Sequence, residues 1–171
     1  MYELRLKGLD RVLHSFDLME RDLDRKLDEF LKGLAEIGLA TASVGYSNFV
    51  LHEGIPSGKD VDWYETTPEI NVTVEPIENG YAVVAEGREV LFVEFGAGVY
   101  YNGSEAYPGE RPEGVVGIGQ YGRGYGNRDA WAFDDGGGKV ITRGNMPAAA
   151  MYWASEDIKR NIEQVAKEVF G

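Results

Sequence analysis

One stripe of apolar residues constrains this chain more than anything else in it. Leu13, Phe16, Met19, Leu23, Leu27, Phe30, Leu34 and Ile37 follow one another in steps of three or four. That spacing places them on one face of an α-helix and on no single face of a strand. Arg21, Asp24, Arg25 and Asp28 fall off the stripe, so the helix is amphipathic and needs a surface to pack against. The pattern runs from Leu9 to about Tyr46. That is long for one helix, and a break near Ser15–Asp17 is expected, with Ser15 or Asp17 capping the second part. Near its end the residues turn small (Ala35, Gly38, Ala40, Ala42, Ser43, Gly45), which lets another backbone come close.

A second stripe closes the chain. Met151, Ala154, Ile158, Ile162, Val165 and Val169 are again three or four apart, Asn145 is placed to cap, and Pro147 suits the first turn. Glu163 and Lys167 add an i, i+4 pair. Between the helices the signals are β. Ile70, Val72 and Val74 alternate with Glu69, Asn71, Thr73 and Glu75. Asn79-Gly80 is a hairpin turn signal, and Tyr81–Glu86 is the return strand. Both stripes are expected to cover one face of this hairpin. Tyr2–Lys7 reads as a short strand and 52–68 as an irregular connection. Further strands are expected at Ala130–Phe133 and Lys139–Thr142. Residues 96–144 hold 14 of the 23 glycines together with many aromatics. Flexible linkers lack aromatics, so this is an ordered excursion. The expected fold is therefore α+β in a single domain, 1–171. A small, mostly antiparallel sheet packs against a long N-terminal helix and a C-terminal helix, with a long Gly/aromatic-rich loop excursion at 96–144.

Charge narrows the function. The formal net charge is −12, and residues 51–100 carry ten acids against only Lys59 and Arg88, net −8. Nucleic-acid recognition needs the opposite sign. There are no cysteines, which excludes a disulfide framework and thiolate metal sites and fits a reducing compartment. The first residues lack the apolar core of a signal peptide, and no apolar run reaches membrane-spanning length, so no membrane association is expected.

Familiar chemical motifs fail on inspection. Gly117–Gly122, GIGQYG, fits G-x-G-x-x-G, but RGYGNRDAW follows it and cannot open a helix. Asp134 and Asp135 come too early for a ribose contact. DGGGKV has Phe133 where a phosphate loop needs its first glycine. Asp60-x-Asp62 starts like a calcium loop, but Glu65 and Asn71 stand at the positions that need Gly and Glu. For Asp129, Asp134 and Asp135 a loose cation site is one reading, and solvated turn acids are the favoured one. His14 and His52 lie far apart with no nucleophile to serve. No catalytic, cofactor-binding or metal residues are assigned. Glu94, in FVEFGAG, is the one carboxylate in apolar surroundings. A raised pKa and acid catalysis are one reading. The favoured one is structural: Glu94 accepts backbone N–H groups at a turn made by Gly96 and Gly98.

Several of these pieces recur in one order. VEFGAG (Val93–Gly98) precedes the Gly/aromatic stretch Gly117–Trp131, then Thr142-Arg143-Gly144, Pro147, and Met151–Ala154 at the start of the last helix. This order resembles the siphophage tail-component family, the small head–tail joining or tail-completion proteins of long-tailed phages. The resemblance implies a structural virion protein without enzymatic activity or cofactor, assembled in the host cytoplasm and residing in the virion neck or tail. Its partners would be other copies in a ring and other neck or tail proteins, with DNA passing non-specifically through the channel. The Gly-rich loop would contribute subunit contacts through Tyr121, Arg123, Tyr125, Arg128 and Trp131, since aromatics on such a loop suit an interface. The alternative is a glycan- or ligand-binding module that uses Trp63, Tyr64, Tyr100, Tyr101, Tyr125 and Trp131 as a stacking platform. A hydrolase centred on Glu94 ranks last.

Overall fold

The computed structural model describes residues 9–57, 59–97, 107–110, 130–134 and 139–171. The expected strand Tyr2–Lys7 and most of the Gly-rich excursion lie outside them. Helix α1 (Leu9–Ser47) is one unbroken helix of 39 residues. The break expected near Ser15 is not there: the Ser15 hydroxyl donates back to the Arg11 carbonyl at 2.8 Å, inside a continuous helix. Residues 52–68 are not irregular either. They form the hairpin β1 (Leu51–Ser57) and β2 (Asp60–Thr66), paired from Leu51↔Thr66 to Ser57↔Asp60. Next come β3 (Ile70–Ile77), β4 (Gly80–Gly87), the short helix α2 (Val90–Phe95), β5 (Trp131–Asp134), β6 (Lys139–Thr142) and helix α3 (Ala150–Phe170).

Two antiparallel sheets result, β2-β1-β6-β5 and the separate hairpin β3-β4. The α+β arrangement expected from the sequence is therefore the one observed. The β3-β4 hairpin follows the alternation: Val72 pairs with Ala85 and Val74 with Val83, on the face turned to the helices. Its turn sits one residue earlier than expected. Ile77 pairs with Gly80, so Glu78-Asn79 form the loop, and the positive φ of 145° belongs to Gly80, the first residue of β4.

The helices pack mainly on each other. Antiparallel α1 and α3 meet where α1 turns small. A side chain at Gly45 would overlap Ala150, one at Gly38 would overlap Ile158, and Thr41 donates a hydrogen bond to Asp157 at 2.9 Å. Ala42, Ala150 and Ala154 join Tyr46, Leu51 and Val93 in the buried core. The expectation that both stripes cover the hairpin holds for the C-terminal half of α1 alone. Leu23 and Leu27 are exposed, at 58% and 47%, because α3 ends at Phe170 beside Phe30, and α1 runs on past it.

The close helix crossing gives the first prediction. Gly45→Leu should push α3 off α1 and cost about 1–3 kcal/mol, the usual penalty of overpacking. Leu23→Ala should cost less than about 0.5 kcal/mol, as for a surface change. Urea melts of the two variants would check the pair.

Candidate functional site

The described residues converge most tightly around Glu94. It lies on the one-and-a-half-turn helix α2, whose residues Val93, Glu94 and Phe95 are all buried. A chain segment runs alongside: Asn145 accepts from the Ala97 N–H at 2.9 Å, Ala148 donates to the Val93 carbonyl at 2.7 Å, and Ala149 donates to the Glu94 carbonyl at 3.2 Å. Gly96 makes this possible. Its φ is 80°, and a Cβ there would sit 3.0 Å from the Asn145 carbonyl oxygen and from Pro147.

The Glu94 side chain is 4% exposed and its two oxygens take four hydrogen bonds. Oε2 accepts from the Tyr46 hydroxyl at 2.8 Å and the Met151 N–H at 3.1 Å. Oε1 accepts from the Tyr107 hydroxyl at 3.1 Å and the Tyr152 N–H at 3.3 Å. The two backbone donors belong to the first turn of α3, where N–H groups have no partner inside the helix. Glu94 therefore serves as the cap of α3. Asn145 does not; its amide donates to the carbonyls of Phe92 and Met146. The local N-cap residue, Ala149, has no capping side chain and sits in the left-handed region at φ 50°. A carboxylate at this end also meets the positive pole of the helix.

The rings around the carboxylate form a continuous wall. Phe95 and Tyr107 have centroids 4.8 Å apart, Tyr107 and Tyr152 6.0 Å, and Tyr152 and Trp153 5.0 Å. The Tyr46 hydroxyl is pushed well above the usual tyrosine range, first by burial and then by the charge and hydrogen bond of Glu94. Such a site holds a charge in place and offers no free lone pair directed at a cavity.

Of the residues singled out in the sequence, Glu94 and Gly96 come together here. Gly98, Tyr121, Arg123, Tyr125 and Arg128 lie outside the described residues, and Trp131 is described only as part of the β5 backbone. The backbone donors to Glu94 come from α3, not from a turn at Gly96 and Gly98. Tyr46 and Tyr107 were not anticipated as its partners. Of the expected stacking platform, Trp63 and Tyr64 point to opposite faces as neighbours in β2, and Tyr100, Tyr101 and Tyr125 lie outside the described residues. Trp63 carries the Arg143 guanidinium 4.4 Å above its ring, whereas Tyr64 donates to Glu53 at 2.8 Å. His52 faces Glu65 across the β1-β2 pair at 3.5 Å. Among the described residues no cluster of His, Asp and Glu has the arrangement of a metal site. No described helix is long and apolar enough to cross a membrane. Set against protein-family models, curated proteins and solved structures, the chain matches none.

Two variants test this node. Glu94→Gln would turn one acceptor into a donor facing a hydroxyl and an N–H, and should cost about 1–3 kcal/mol, the range for an unmet buried polar group. Tyr46→Phe should remove part of the alkaline sensitivity. In the unfolded chain this hydroxyl ionises near 10.0, and in the folded chain it stays protonated to higher pH. Above that pH the folded state holds the extra proton, so stability falls as pH rises, by about 1.4 kcal/mol per pH unit for one group. Denaturant midpoints between neutral pH and about pH 11 should fall less steeply for Tyr46→Phe than for wild type. Parallel curves would remove Tyr46 from the account.

Proposed function

We propose that this chain is a structural component of the neck or tail of a long-tailed phage virion, joining head to tail as part of an oligomeric ring. The observation that carries the reading is the distribution of apolar residues. Among the described residues, eighteen large hydrophobic side chains are exposed, while six of the twelve buried hydrophobic residues are alanines. A single copy leaves Phe16, Met19, Ile55, Ile77, Met146 and Trp153 in water, which is what a protein completed by its neighbours does.

Two further features support it. Those described segments that carry the family resemblance, far apart in sequence, meet in space: Val93–Ala97 runs against Asn145–Ala149, and Glu94 caps Met151 and Tyr152. On this reading the VEFG carboxylate is architectural and no chemistry is needed. The acidic middle of the chain is outward-facing as well, with Asp60, Asp62, Glu65, Glu69, Glu75, Glu78 and Glu86 exposed. An acidic channel wall repels DNA phosphates and lets a genome slide past.

Size-exclusion chromatography with light scattering tests the ring. Wild type should form a closed assembly of several copies. Tyr121→Ala with Tyr125→Ala, in the Gly-rich loop, should keep the melting temperature and shift the population to single copies. In a phage carrying the double variant, micrographs of lysates should then hold separate heads and tails. Normal yields of infectious particles from that variant would refute the loop's part in assembly.

A further inference from the structure

The part of α1 that runs past α3 has an organised surface of its own. Leu9, Leu13, Phe16, Leu23 and Leu27 continue the spacing of Phe30 and Leu34 in alternating steps of three and four, as the inner positions of a coiled coil do. Only Glu20 interrupts the series. All five apolar residues are exposed, Phe16 at 61%, and the nearest described neighbour is Phe170 at the tip of α3, which lines a shallow groove with Phe16, Met19 and Leu23. The stripe lies on the face that α3 covers further along, where Gly38 meets Ile158 and Phe30 meets Phe170. It is the same helix–helix seam, about 27 Å of it without a second helix among the described residues.

The edges of the seam say what the missing helix is. Asp10, Asp17 and Asp24 are seven apart and line one edge, with Glu20 just inside it. All four are exposed, and among the described residues none has an ion pair or hydrogen bond. The nearby Arg25 is held on another side of the helix by Asp22 at 2.7 Å and Glu29 at 2.6 Å. The other edge carries Val12, Met19 and half-buried Lys26, and Arg21 lies behind the acidic edge, four positions from Asp17 and three from Asp24. A second copy of this chain fits poorly. Paired antiparallel, Leu13 meets the copy's Leu23 and Leu9 its Leu27, but Asp17 then meets its own counterpart and Asp10 meets Asp24. Paired parallel, Glu20 faces Glu20 inside the seam. Like charges at these positions disfavour pairing.

We infer that the overhang of α1 is a docking seam for an amphipathic helix of a different protein, one whose apolar stripe is flanked by lysine or arginine. The helix lies along α1 beyond Phe170, in line with α3, its apolar residues between Leu9 and Leu27 and its cations against Asp10, Asp17, Asp24 and Glu20. The inference builds on the assembly reading but does not need the ring, which can close through other surfaces.

The test uses the full chain and two synthetic helical peptides of about three heptads, with leucine at the inner positions and either lysine or glutamate at the flanking ones. Isothermal titration should give the lysine peptide about tenfold tighter binding, as expected of three exposed pairs that are attractive in one peptide and repulsive in the other. Asp10→Lys with Asp17→Lys and Asp24→Lys lies wholly on exposed positions and should keep the melting temperature while inverting the preference. Leu13→Ser with Leu23→Ser should abolish binding of both peptides. Equal affinities for the two peptides, or binding of neither, would overturn the proposal. So would self-association of wild type that Leu13→Ser with Leu23→Ser removes, since the occupant would then be a second copy. Ring formation is read separately, by mass: a chain that forms no ring but discriminates the peptides keeps the seam and loses only the ring.

Discussion

A single buried carboxylate holds the described fold together. Taking an isolated carboxylate out of water costs many kcal/mol, and the cost is offset only where every lone pair finds a donor. Glu94 finds four: Tyr46 at the end of α1, Tyr107 in the loop region, and the free N–H groups of Met151 and Tyr152 at the start of α3. Each of these elements has reason to be where it is because the charge is there. The start of α3 lacks a capping side chain of its own and takes one from α2 instead. Charge-assisted bonds of this kind are stronger than neutral ones, and the helix pole adds to them. Removing any donor therefore exposes the same buried charge, and the node responds as a unit.

The closed end of the molecule follows from that node, and the composition of α1 decides where the closed end stops. From Ala35 to Gly45 the helix presents glycines and alanines to α3, so the two backbones come close and Ala42, Ala150 and Ala154 are almost fully buried. Toward its N-terminus the same face carries Phe16, Met19, Leu23 and Leu27, which α3, as far as Phe170, does not cover. Small residues mark the part of the seam filled within the chain; large ones mark the part left open. The acid-lined flank changes along the same line. Asp28 is taken up by the Tyr81 hydroxyl at 2.7 Å, beside the hairpin, whereas Asp10, Asp17 and Asp24 lie beyond its reach.

How much of this was legible in the sequence depended on whether the signal was local. Both helices and the β3-β4 hairpin were visible because periodicity is a property of neighbours, and so were β5 and β6 to within a residue. The β1-β2 hairpin was missed because Gly54 and Pro56 broke the apolar alternation. Gly54 is there so that Val61 and Trp63 can cross its face, and Ser57-Gly58-Lys59-Asp60 carried the one available clue, a Gly-first pair between two runs. The break expected at Ser15 misjudged a hydroxyl that could bond back within the helix. For Glu94, burial was readable from its apolar neighbours. Its donors were not: Tyr46 is 48 residues away and Met151 is 57, and nothing in either local stretch marks it as a partner.

The length of α1 raises a last physical question, since an isolated helix of eighteen or so residues is marginal in water. The overhang is not isolated. Nucleation is the costly step of helix formation, and it has been made by the packed half between Phe30 and Tyr46; beyond that, each residue needs only propagation. The sequence permits propagation there, with leucine and arginine recurring, no glycine or proline between Leu9 and Lys32, and Arg25 bridging Asp22 and Glu29. The helix should accordingly fray from Leu9 inward instead of melting as a block. An overhang that is already helical and anchored at one end presents its apolar stripe in a fixed direction, so a partner helix loses little of its binding energy to ordering this chain. The carboxylate at the far end of α1 thus bears on the seam indirectly: by locking Tyr46 and α3 it fixes the axis along which the overhang points.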